Sequence, residues 1–256
     1  MNISIVTAVY NDPRVERCLR SIKNQRDVSE VETIVVDGLS TDATVDVLDS
    51  ESDVIDTLIR EEDNGIYDAM NKGIAAANGD VIGILNADDY YADEYVVRDV
   101  LERMSETRAR TCYGNLVYVN ESDTPVRYWK SGKFSPSRFK FGWMPPHPAF
   151  FVEASVYEEY GMFDLNFDIA ADYELILRFL MKHEVSTTYL DRVLVHMSNG
   201  GTSNESVQNI IRSNVEAYKA WQKNGLTGGL LAPVLKPARK PYQYISAWIK
   251  EFSQTP

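Results

Sequence analysis

Short apolar runs alternate with helical patterns along the first part of the chain. The runs from Ile3 to Val9 and from Val31 to Val36 are short and rich in β-branched residues, which is typical of buried strands. The segment between these runs repeats apolar residues at the spacing of a helix. The whole pattern predicts, in order, strand 3–9, helix 14–24, strand 31–36, a helix that carries Val45, Val47 and Leu48, strand 56–59, helix 66–77 and strand 81–85.

This alternation predicts an α/β fold with a mostly parallel central sheet flanked by helices. In such sheets, ligands bind at the carboxyl ends of the strands. Three of the predicted strand ends carry polar residues, and they lie at Thr7 to Asn11, at Asp37, and at Asn86 to Asp89. We therefore expect a ligand site where these three ends meet.

After about residue 110 the alternation weakens. A strand pair is predicted at 111–119 and 125–129, followed by an aromatic-rich loop that ends at Pro148. Further helices are predicted at 170–182 and 205–223, where apolar residues again recur at helical spacing.

Composition excludes several classes of function. The formal net charge of -12 repels phosphate backbones, so no nucleic-acid partner is expected. Cys18 and Cys112 have no paired spacing, which predicts neither disulfides nor a thiolate metal site. No signal-peptide pattern is visible at the first residues, and no apolar run reaches the roughly 20 residues that a membrane-spanning helix needs. We expect a cytoplasmic protein.

Asp88 and Asp89 are the first candidates for chemistry. Two neighbouring carboxylates that follow a buried strand resist joint ionisation unless a cation offsets their charge. Mg²⁺ and Mn²⁺ prefer oxygen ligands and often take one or two carboxylates, with phosphates and water completing the shell. The alternative is a polar turn before the next helix, and the pattern alone does not separate the two.

Four ordered motifs resemble the family 2 glycosyltransferases with the GT-A fold. The motifs are Ile5 to Asn11, Val35 to Asp42, Asp63 to Gly73 and Leu85 to Asp89. The resemblance implies a single GT-A domain over 1–204, with a nucleotide-binding half at 1–110 and an acceptor-binding half at 111–204, followed by a C-terminal helical extension over 205–256. It also implies an inverting transfer of sugar from a UDP- or GDP-sugar to a glycan or lipid-linked hydroxyl, with Mn²⁺ or Mg²⁺ on the diphosphate.

The same resemblance implies which residues bind the donor. Asp37 is expected to hydrogen-bond the nucleotide base, with a turn residue as the alternative. Glu61 and Asp63 are expected near the ribose, or else in a solvated loop, and Lys72 near the diphosphate, or else on the surface. The implied donor-binding residues are Thr7, Ala8, Tyr10, Asn11, Asp37, Glu61, Asp63, Lys72, Asn86, Ala87 and Asp88.

For the metal, the resemblance implies Asp89 as the direct ligand and Asp88 as a contact shared between ribose and metal. His196 precedes a glycine pair and is implied as a third ligand, with a structural histidine as the alternative. Asn86 stands where many relatives have the first Asp of an Asp-x-Asp pattern. We therefore expect the affinity for metal to be modest, or the metal to arrive with the nucleotide.

Asp172 is implied as the general base. Inversion needs a carboxylate on the face opposite the leaving diphosphate, where it can take the proton of the acceptor hydroxyl. An acid in the first turn of a helix is the alternative, and Glu174 is the reserve base. His147 and Trp143 are implied on the acceptor side, with a turn hydrogen bond and core packing as their alternatives.

The sequence leaves two other functions open, and it does not decide the role of the C-terminal tail. A nucleotidyltransferase would need a glycine-rich basic loop after the first strand, and Tyr10 to Arg14 contains no glycine. A non-catalytic nucleotide-sugar-binding subunit is the third hypothesis. The tail over 230–252 mixes aromatic and basic residues, which suits peripheral contact with an anionic membrane. Packing against the catalytic domain or against a second copy in a homo-oligomer is the alternative.

Overall fold

The computed structural model describes residues 1–198 and 207–227. Its strands are β1 Ile3–Val9, β2 Val31–Asp37, β3 Thr57–Arg60, β4 Val81–Ile84, β5 Tyr90–Tyr91, β6 Thr111–Val119, β7 Pro125–Trp129, β8 Phe150–Glu153 and β9 Thr187–Ser198. Its α-helices are α1 Val15–Lys23, α2 Thr44–Ser50, α3 Ile66–Ala76, α4 Val96–Thr107, α5 Pro136–Lys140, α6 Ala154–Tyr160, α7 Ala171–Leu177 and α8 Val207–Lys223. A 3-10 turn covers His147–Ala149, and α7 continues as a π-helical turn over Arg178–Lys182.

Within the described residues the strands form one mixed sheet in the order β3-β2-β1-β4-β8-β6-β9-β5, with β7 paired to β6. The four strands predicted in the first part of the chain are confirmed, and they pair in parallel. The predicted α/β class is therefore confirmed. The sheet is not mostly parallel, however, because β8 enters between β4 and β6 in the antiparallel direction and β5 and β7 are also antiparallel to their partners.

Helix α3 packs closely on the centre of the sheet. It contacts β1 and β2, and a β-carbon built on Gly73 would lie 2.2 Å from Cγ1 of Val6. Only a residue without a side chain allows this approach. The first turn of α3 is consequently held next to the carboxyl ends of β1 and β2.

The second half of the domain contains elements that the apolar pattern did not predict. Strand β5 has only two residues, and β9 is long but lacks a simple alternation of buried and exposed positions. Helix α4 does carry a buried apolar stripe, which the sequence analysis did not single out. The strand pair β6–β7 and the helix that becomes α7 are confirmed.

Helix α8 is the described part of the C-terminal extension, and it packs against α7. Trp221 is almost fully buried, and its indole Nε1 donates a hydrogen bond to the hydroxyl of Tyr173 (2.8 Å). The tail, for which membrane contact was expected, lies outside the described residues. Among the residues that are described, no helix is both long and apolar enough to cross a bilayer.

Candidate active site

The polar ends of β1 and β2 lie side by side and are tied together. Parallel pairing places Val9 opposite Asp37. Just beyond, the backbone N–H of Asn11 donates to Oγ of Ser40 (2.8 Å), and the N–H of Thr41 donates to Oδ1 of Asn11 (2.9 Å). These reciprocal bonds fix the two loops relative to each other. Thr7 and Ala8 are buried within β1 beneath them.

Asp37 is fully buried at the end of β2. Its Oδ1 accepts a hydrogen bond from the N–H of Ser40 (2.9 Å). Its Oδ2 lies 3.0 Å from Nε of Arg60, yet among the described residues no donor N–H points at this oxygen. A buried acceptor without an aligned donor costs about 1–3 kcal/mol. The atom is therefore suited to accept a hydrogen bond from a ligand.

Tyr10, Gly38 and Asp63 form a small surface next to Asp37. Tyr10 is 65% exposed. A β-carbon on Gly38 would lie 2.4 Å from Oδ2 of Asp63 and 3.5 Å from Cδ2 of Tyr10. The Oδ1 of Asp63 accepts from the N–H of Gly65 (2.9 Å), which holds the carboxylate in this place. The exposed ring of Tyr10 and the carboxylate of Asp63 thus lie next to Gly38, where no side chain covers the backbone.

Lys72 and Glu61 form an ion pair at the edge of this surface. The Nζ of Lys72 lies 2.9 Å from Oε1 of Glu61 and 3.5 Å from Oδ2 of Asp68, and it donates to the carbonyl of Glu62 (2.7 Å). The lysine is thereby tied to the loop before α3 rather than extended into solvent.

Asp88 and Asp89 follow β4, beyond Asn86 and the buried Ala87. The Oδ2 of Asp89 accepts from Nδ2 of Asn86 (2.8 Å), and its Oδ1 accepts from the N–H of Ser198 (3.3 Å). Asp89 is buried, whereas the Asp88 side chain keeps 23% of its surface. The Oδ2 of Asp88 lies 3.6 Å from Nη1 of Arg14.

Burial makes it costly to ionise both members of the pair. Burial, and next the charge of Asp88, raise the pKa of Asp89 well above its usual range. Burial also raises the pKa of Asp88, which Arg14 opposes. A divalent cation would offset this charge, and the carboxylate oxygens are ligands of the kind that Mg²⁺ and Mn²⁺ prefer. Within residues 1–198 and 207–227, no cluster of three or more His, Cys, Asp or Glu completes a metal site.

Asp172 lies in the first turn of α7, close to Tyr67 and His147. Its Oδ1 accepts from the N–H of Tyr173 (2.7 Å) and lies 3.5 Å from the hydroxyl of Tyr67. Burial lowers the pKa of His147, and the nearby charge of Asp172 opposes this shift. The structure therefore places Asp172, the predicted base, near Tyr67, and its charge acts on His147, predicted on the acceptor side.

Comparison with known proteins identifies the family. The model of glycosyl transferase family 2 matches residues 4–157. The chain belongs to this family.

A relative and two solved structures illustrate the likeness. An uncharacterized glycosyltransferase of Mycobacterium tuberculosis is 34% identical over 183 residues, which cover 69% of this chain and 68% of the relative. The mannosyltransferase PcManGT from Pyrobaculum calidifontis, in complex with GDP-Man and Mn²⁺, superposes with a TM-score of 0.65 at 15% identity, over 99% of this chain and 76% of that one. The 1–349 portion of TarS from S. aureus, in complex with UDP-GlcNAc, superposes with a TM-score of 0.64 at 16% identity, over 100% of this chain and 74% of that one. These two likenesses support the GT-A fold.

Two residues of this family 2 glycosyltransferase take structural positions. Glu174, the reserve base, is 1% exposed and pairs with Arg178 (3.1 Å) and Asn224 (3.0 Å). Trp143 is 3% exposed, and its Nε1 donates to the carbonyl of Ser131 (2.7 Å). The surroundings of Trp143 are therefore those of core packing, the alternative to a place on the acceptor side.

His196 lies in a separate polar cluster of the glycosyltransferase. Its Nδ1 is 3.1 Å from the hydroxyl of Tyr90, whose ring lies under the guanidinium of Arg17, and that hydroxyl donates to Asp123. Burial and the charge of Arg17 lower the pKa of His196. The structure does not bring His196 into a metal cluster with Asp88 and Asp89. The glycines after it lie outside the described residues.

Sequence reasoning missed three residues of the site. Arg60 is the last residue of β3 and pairs in register with Asp37. The signal available in the sequence was a basic residue at the end of a fourth predicted strand. Arg14 is held by Asp12 through two hydrogen bonds (2.8 and 2.6 Å), and only proximity in space reveals its approach to the carboxylate pair. Tyr67 lies within the motif from Asp63 to Gly73, but no local sequence pattern indicates its contact with Asp172.

Proposed function

We propose that the protein is an inverting, metal-dependent glycosyltransferase that moves a sugar from a UDP- or GDP-sugar to a hydroxyl of a glycan or lipid-linked acceptor. The observation that carries this proposal is the Asp88–Asp89 pair, two adjacent carboxylates that follow β4, of which Asp89 is buried and Asp88 lies 3.6 Å from Arg14. At the same sheet edge, Asp37 holds an acceptor without an aligned donor. A nucleoside diphosphate offers a base N–H at one end and a cation-binding diphosphate at the other.

The base end consists of Asp37, Arg60 and Tyr10. Oδ2 of Asp37 accepts the N–H of the base, and Arg60 donates to the carbonyl beside it. Because the carboxylate is covered in this structure, Arg60 must shift for the base to enter. Uracil and guanine both present an N–H next to a carbonyl, so the pair accommodates either. The exposed ring of Tyr10 is suited to stack on the base.

At the diphosphate end, Asp88 contributes more than Asp89 to binding the metal. Both oxygens of Asp89 already accept hydrogen bonds, from Asn86 and Ser198, and the side chain is buried. Asp88 is more exposed, and Arg14, at 3.6 Å, is the one cation that pairs with it in the described part of the chain. We therefore assign Asp88 as the direct ligand and Asp89 as its buried support, the reverse of the order expected from the sequence. A bound Mn²⁺ or Mg²⁺ supplies Lewis-acid stabilisation of the departing diphosphate.

Asp172 acts as the general base. The acceptor hydroxyl loses its proton to the carboxylate of Asp172 while its oxygen forms a bond to the anomeric carbon. The bond from that carbon to the diphosphate oxygen breaks, and the nucleoside diphosphate leaves with the electron pair. Attack from the face opposite the diphosphate inverts the configuration. The charge of Asp172 acts on His147, whose pKa burial lowers, and the neutral ring can hydrogen-bond the acceptor.

The test combines donor screening with a matched pair of variants. Wild-type protein is incubated with UDP-GlcNAc, UDP-glucose and GDP-mannose, with and without Mn²⁺, in the presence of glycan and polyprenyl-linked acceptors. Released UDP or GDP is quantified, and the anomeric configuration of the product is read by NMR. Failure of every donor to bind refutes the donor site, binding without turnover supports the non-catalytic subunit, and retained configuration refutes inversion.

Asp172→Asn tests the base. Its turnover should fall by roughly 10²–10⁴-fold while nucleotide affinity is kept. Asp168→Asn is the control, because Asp168 lies in the same loop but is exposed and paired with Arg212. A wild-type rate for Asp172→Asn removes the residue from the base role.

A further inference from the structure

The segment that leads into Asp172 lies between two helices from distant parts of the chain. We propose that Tyr67 of α3 and Glu216 of α8 position Asp172, so that the C-terminal helix is part of the catalytic unit. This inference rests on the proposed role of Asp172 as the base. Neither Tyr67 nor Glu216 needs to touch a substrate.

Tyr67 contacts the segment from the donor side. Its hydroxyl donates to the carbonyl of Ile169 (2.9 Å) and lies 3.5 Å from Oδ1 of Asp172. Its ring stacks on Phe163 with a centroid distance of 5.3 Å. Burial, and next the charge of Asp172, raise the pKa of Tyr67 well above its usual value. The hydroxyl therefore stays protonated and remains a donor.

Asn71 strengthens the attachment to α3. It lies one helical turn after Tyr67, on the same face. Its Nδ2 donates to the carbonyl of Phe163 (2.9 Å), and its Oδ1 accepts from the N–H of Phe163 (2.9 Å). Two side chains of α3 therefore hold the loop before α7 at both of its ends.

Glu216 contacts the same segment from the opposite side. Its Oε2 accepts from the N–H of Ile169 and from the N–H of Ala170, both at 2.9 Å. The first N–H groups of a helix have no partner within it, and a carboxylate there is favourable. Glu216 is 7% exposed, so this interaction is largely shielded from water.

Ile169 is consequently fixed on both of its peptide groups. Its carbonyl is held by Tyr67 and its N–H by Glu216. Asp172 follows within one helical turn, so the direction of its carboxylate depends on this anchor. Helix α3 begins at Ile66, directly after the loop that holds Asp63 beside Gly38. The same helix thus connects the nucleotide side of the site to the base.

Tyr67→Phe tests the first contact, because it keeps the ring on Phe163 and removes only the hydroxyl. With the donor and Mn²⁺ that give turnover, kcat should fall roughly 10- to 100-fold while the donor KM stays unchanged. In the Asp172→Asn background the same change should have no further effect, since Tyr67 acts through Asp172. Tyr218→Phe, which removes a hydroxyl bonded to Gln222 on α8, should keep the wild-type rate.

Glu216→Ala and Glu216→Gln test the second contact. The amide oxygen of Gln can still accept from both N–H groups, so Gln should rescue most of the kcat that Ala loses. Hydrogen exchange of the peptide over 167–173 should accelerate in the Ala variant and stay near wild type in the Gln variant, and this readout needs no substrate.

The outcomes separate the two proposals. A wild-type kcat for Tyr67→Phe, or a loss that adds to that of Asp172→Asn, overturns the positioning of Asp172 by Tyr67. Unchanged exchange in Glu216→Ala overturns the anchoring by α8. If the single variant Asp172→Asn keeps the wild-type rate, Asp172 is not the base. The proposed positioning of a catalytic Asp172 then fails as well, even where hydrogen exchange supports the anchoring of this segment by Glu216.

Discussion

The side-chain amide of Asn86 donates a hydrogen bond to Oδ2 of Asp89 at 2.8 Å. At the position where the resemblance leads us to expect an acid, this chain supplies a neutral donor to a buried acid. A carboxylate at the same place would add a third negative charge to a pair that already resists ionisation. Asn86 thus lowers the free-energy cost of burying the two carboxylates in the absence of a cation.

Asn86→Asp should destabilise the metal-free protein. It removes the donor to Asp89 and adds a like charge, which we expect to cost about 1–3 kcal/mol. Thermal unfolding should show a lower Tm without metal, and Mn²⁺ should raise the Tm of the variant more than that of the wild type. An unchanged Tm in both conditions would contradict this account of the Asn86–Asp89 contact.

Asp88→Asn and Asp89→Asn should differ in their effects. If Asp88 is the direct ligand, Asp88→Asn removes the Mn²⁺-dependent gain in UDP or GDP affinity and leaves folding nearly unchanged, because its side chain is partly exposed. Asp89→Asn should instead keep most of that gain, because both oxygens of Asp89 already accept hydrogen bonds from Asn86 and Ser198. Calorimetric titration with and without Mn²⁺, together with unfolding curves, measures both. If instead Asp89→Asn removes the Mn²⁺-dependent gain and Asp88→Asn keeps it, Asp89 is the direct ligand.

The raised pKa of Asp89 fixes the sign of a pH dependence. A carboxyl whose pKa is higher in the folded than in the unfolded state binds its proton more tightly when folded. Its stabilising contribution is present below the ordinary carboxyl pKa of about 4 and is lost as the pH rises through the folded value. Metal binding competes with this proton, so Mn²⁺ should stabilise the protein more at higher pH.

Unfolding curves across this pH range test the prediction, and Asp89→Asn serves as the control. The variant lacks the titrating group, so the part of the pH dependence that comes from Asp89 should disappear. If the metal-free wild type instead gains stability over the same rise in pH by an amount that Asp89→Asn abolishes, the sign is wrong.

Local patterns determined how much of this protein could be predicted from its sequence. The strands and helices before Asp88 have regular periodicity, and parallel pairing then brings Asp37 and Asp88 to one edge. Arg60 carries a signal, because it is a basic residue at a strand end and meets Asp37 as its register partner on the adjacent strand, whereas Ser198, which meets Asp89 from the end of β9, carries none. The Ser198 contact depends on the pairing of β9 with β5 and β6, which no local pattern specifies.

Gly38→Ala should weaken nucleotide binding without unfolding the protein. Gly38 does not require positive φ, so its backbone tolerates a side chain, but the new β-carbon would lie 2.4 Å from Oδ2 of Asp63. Asp63 must move, and we expect roughly a tenfold loss of UDP or GDP affinity, or about 1.4 kcal/mol. Calorimetry measures this loss. In the Asp63→Ala background the same substitution should be nearly neutral, and an equal loss there would place the effect elsewhere.

Glu174→Gln should act on stability rather than on chemistry. Glu174 is buried and pairs with Arg178, whose guanidinium also donates to the carbonyls of Tyr160, Gly161 and Met162. Neutralising Glu174 leaves Arg178 without a counter-charge in a poorly hydrated position, which we expect to cost about 3–5 kcal/mol.

The unfolding midpoint in urea should therefore fall in Glu174→Gln, while the turnover of the fraction that stays folded remains close to wild type. Asp172→Asn should behave in the opposite way, because its carboxylate is partly exposed and makes no ion pair within residues 1–198 and 207–227. The two variants thus separate a carboxylate that holds the fold from one that takes a proton. A Glu174→Gln protein that keeps its midpoint but loses turnover would return Glu174 to the role of base.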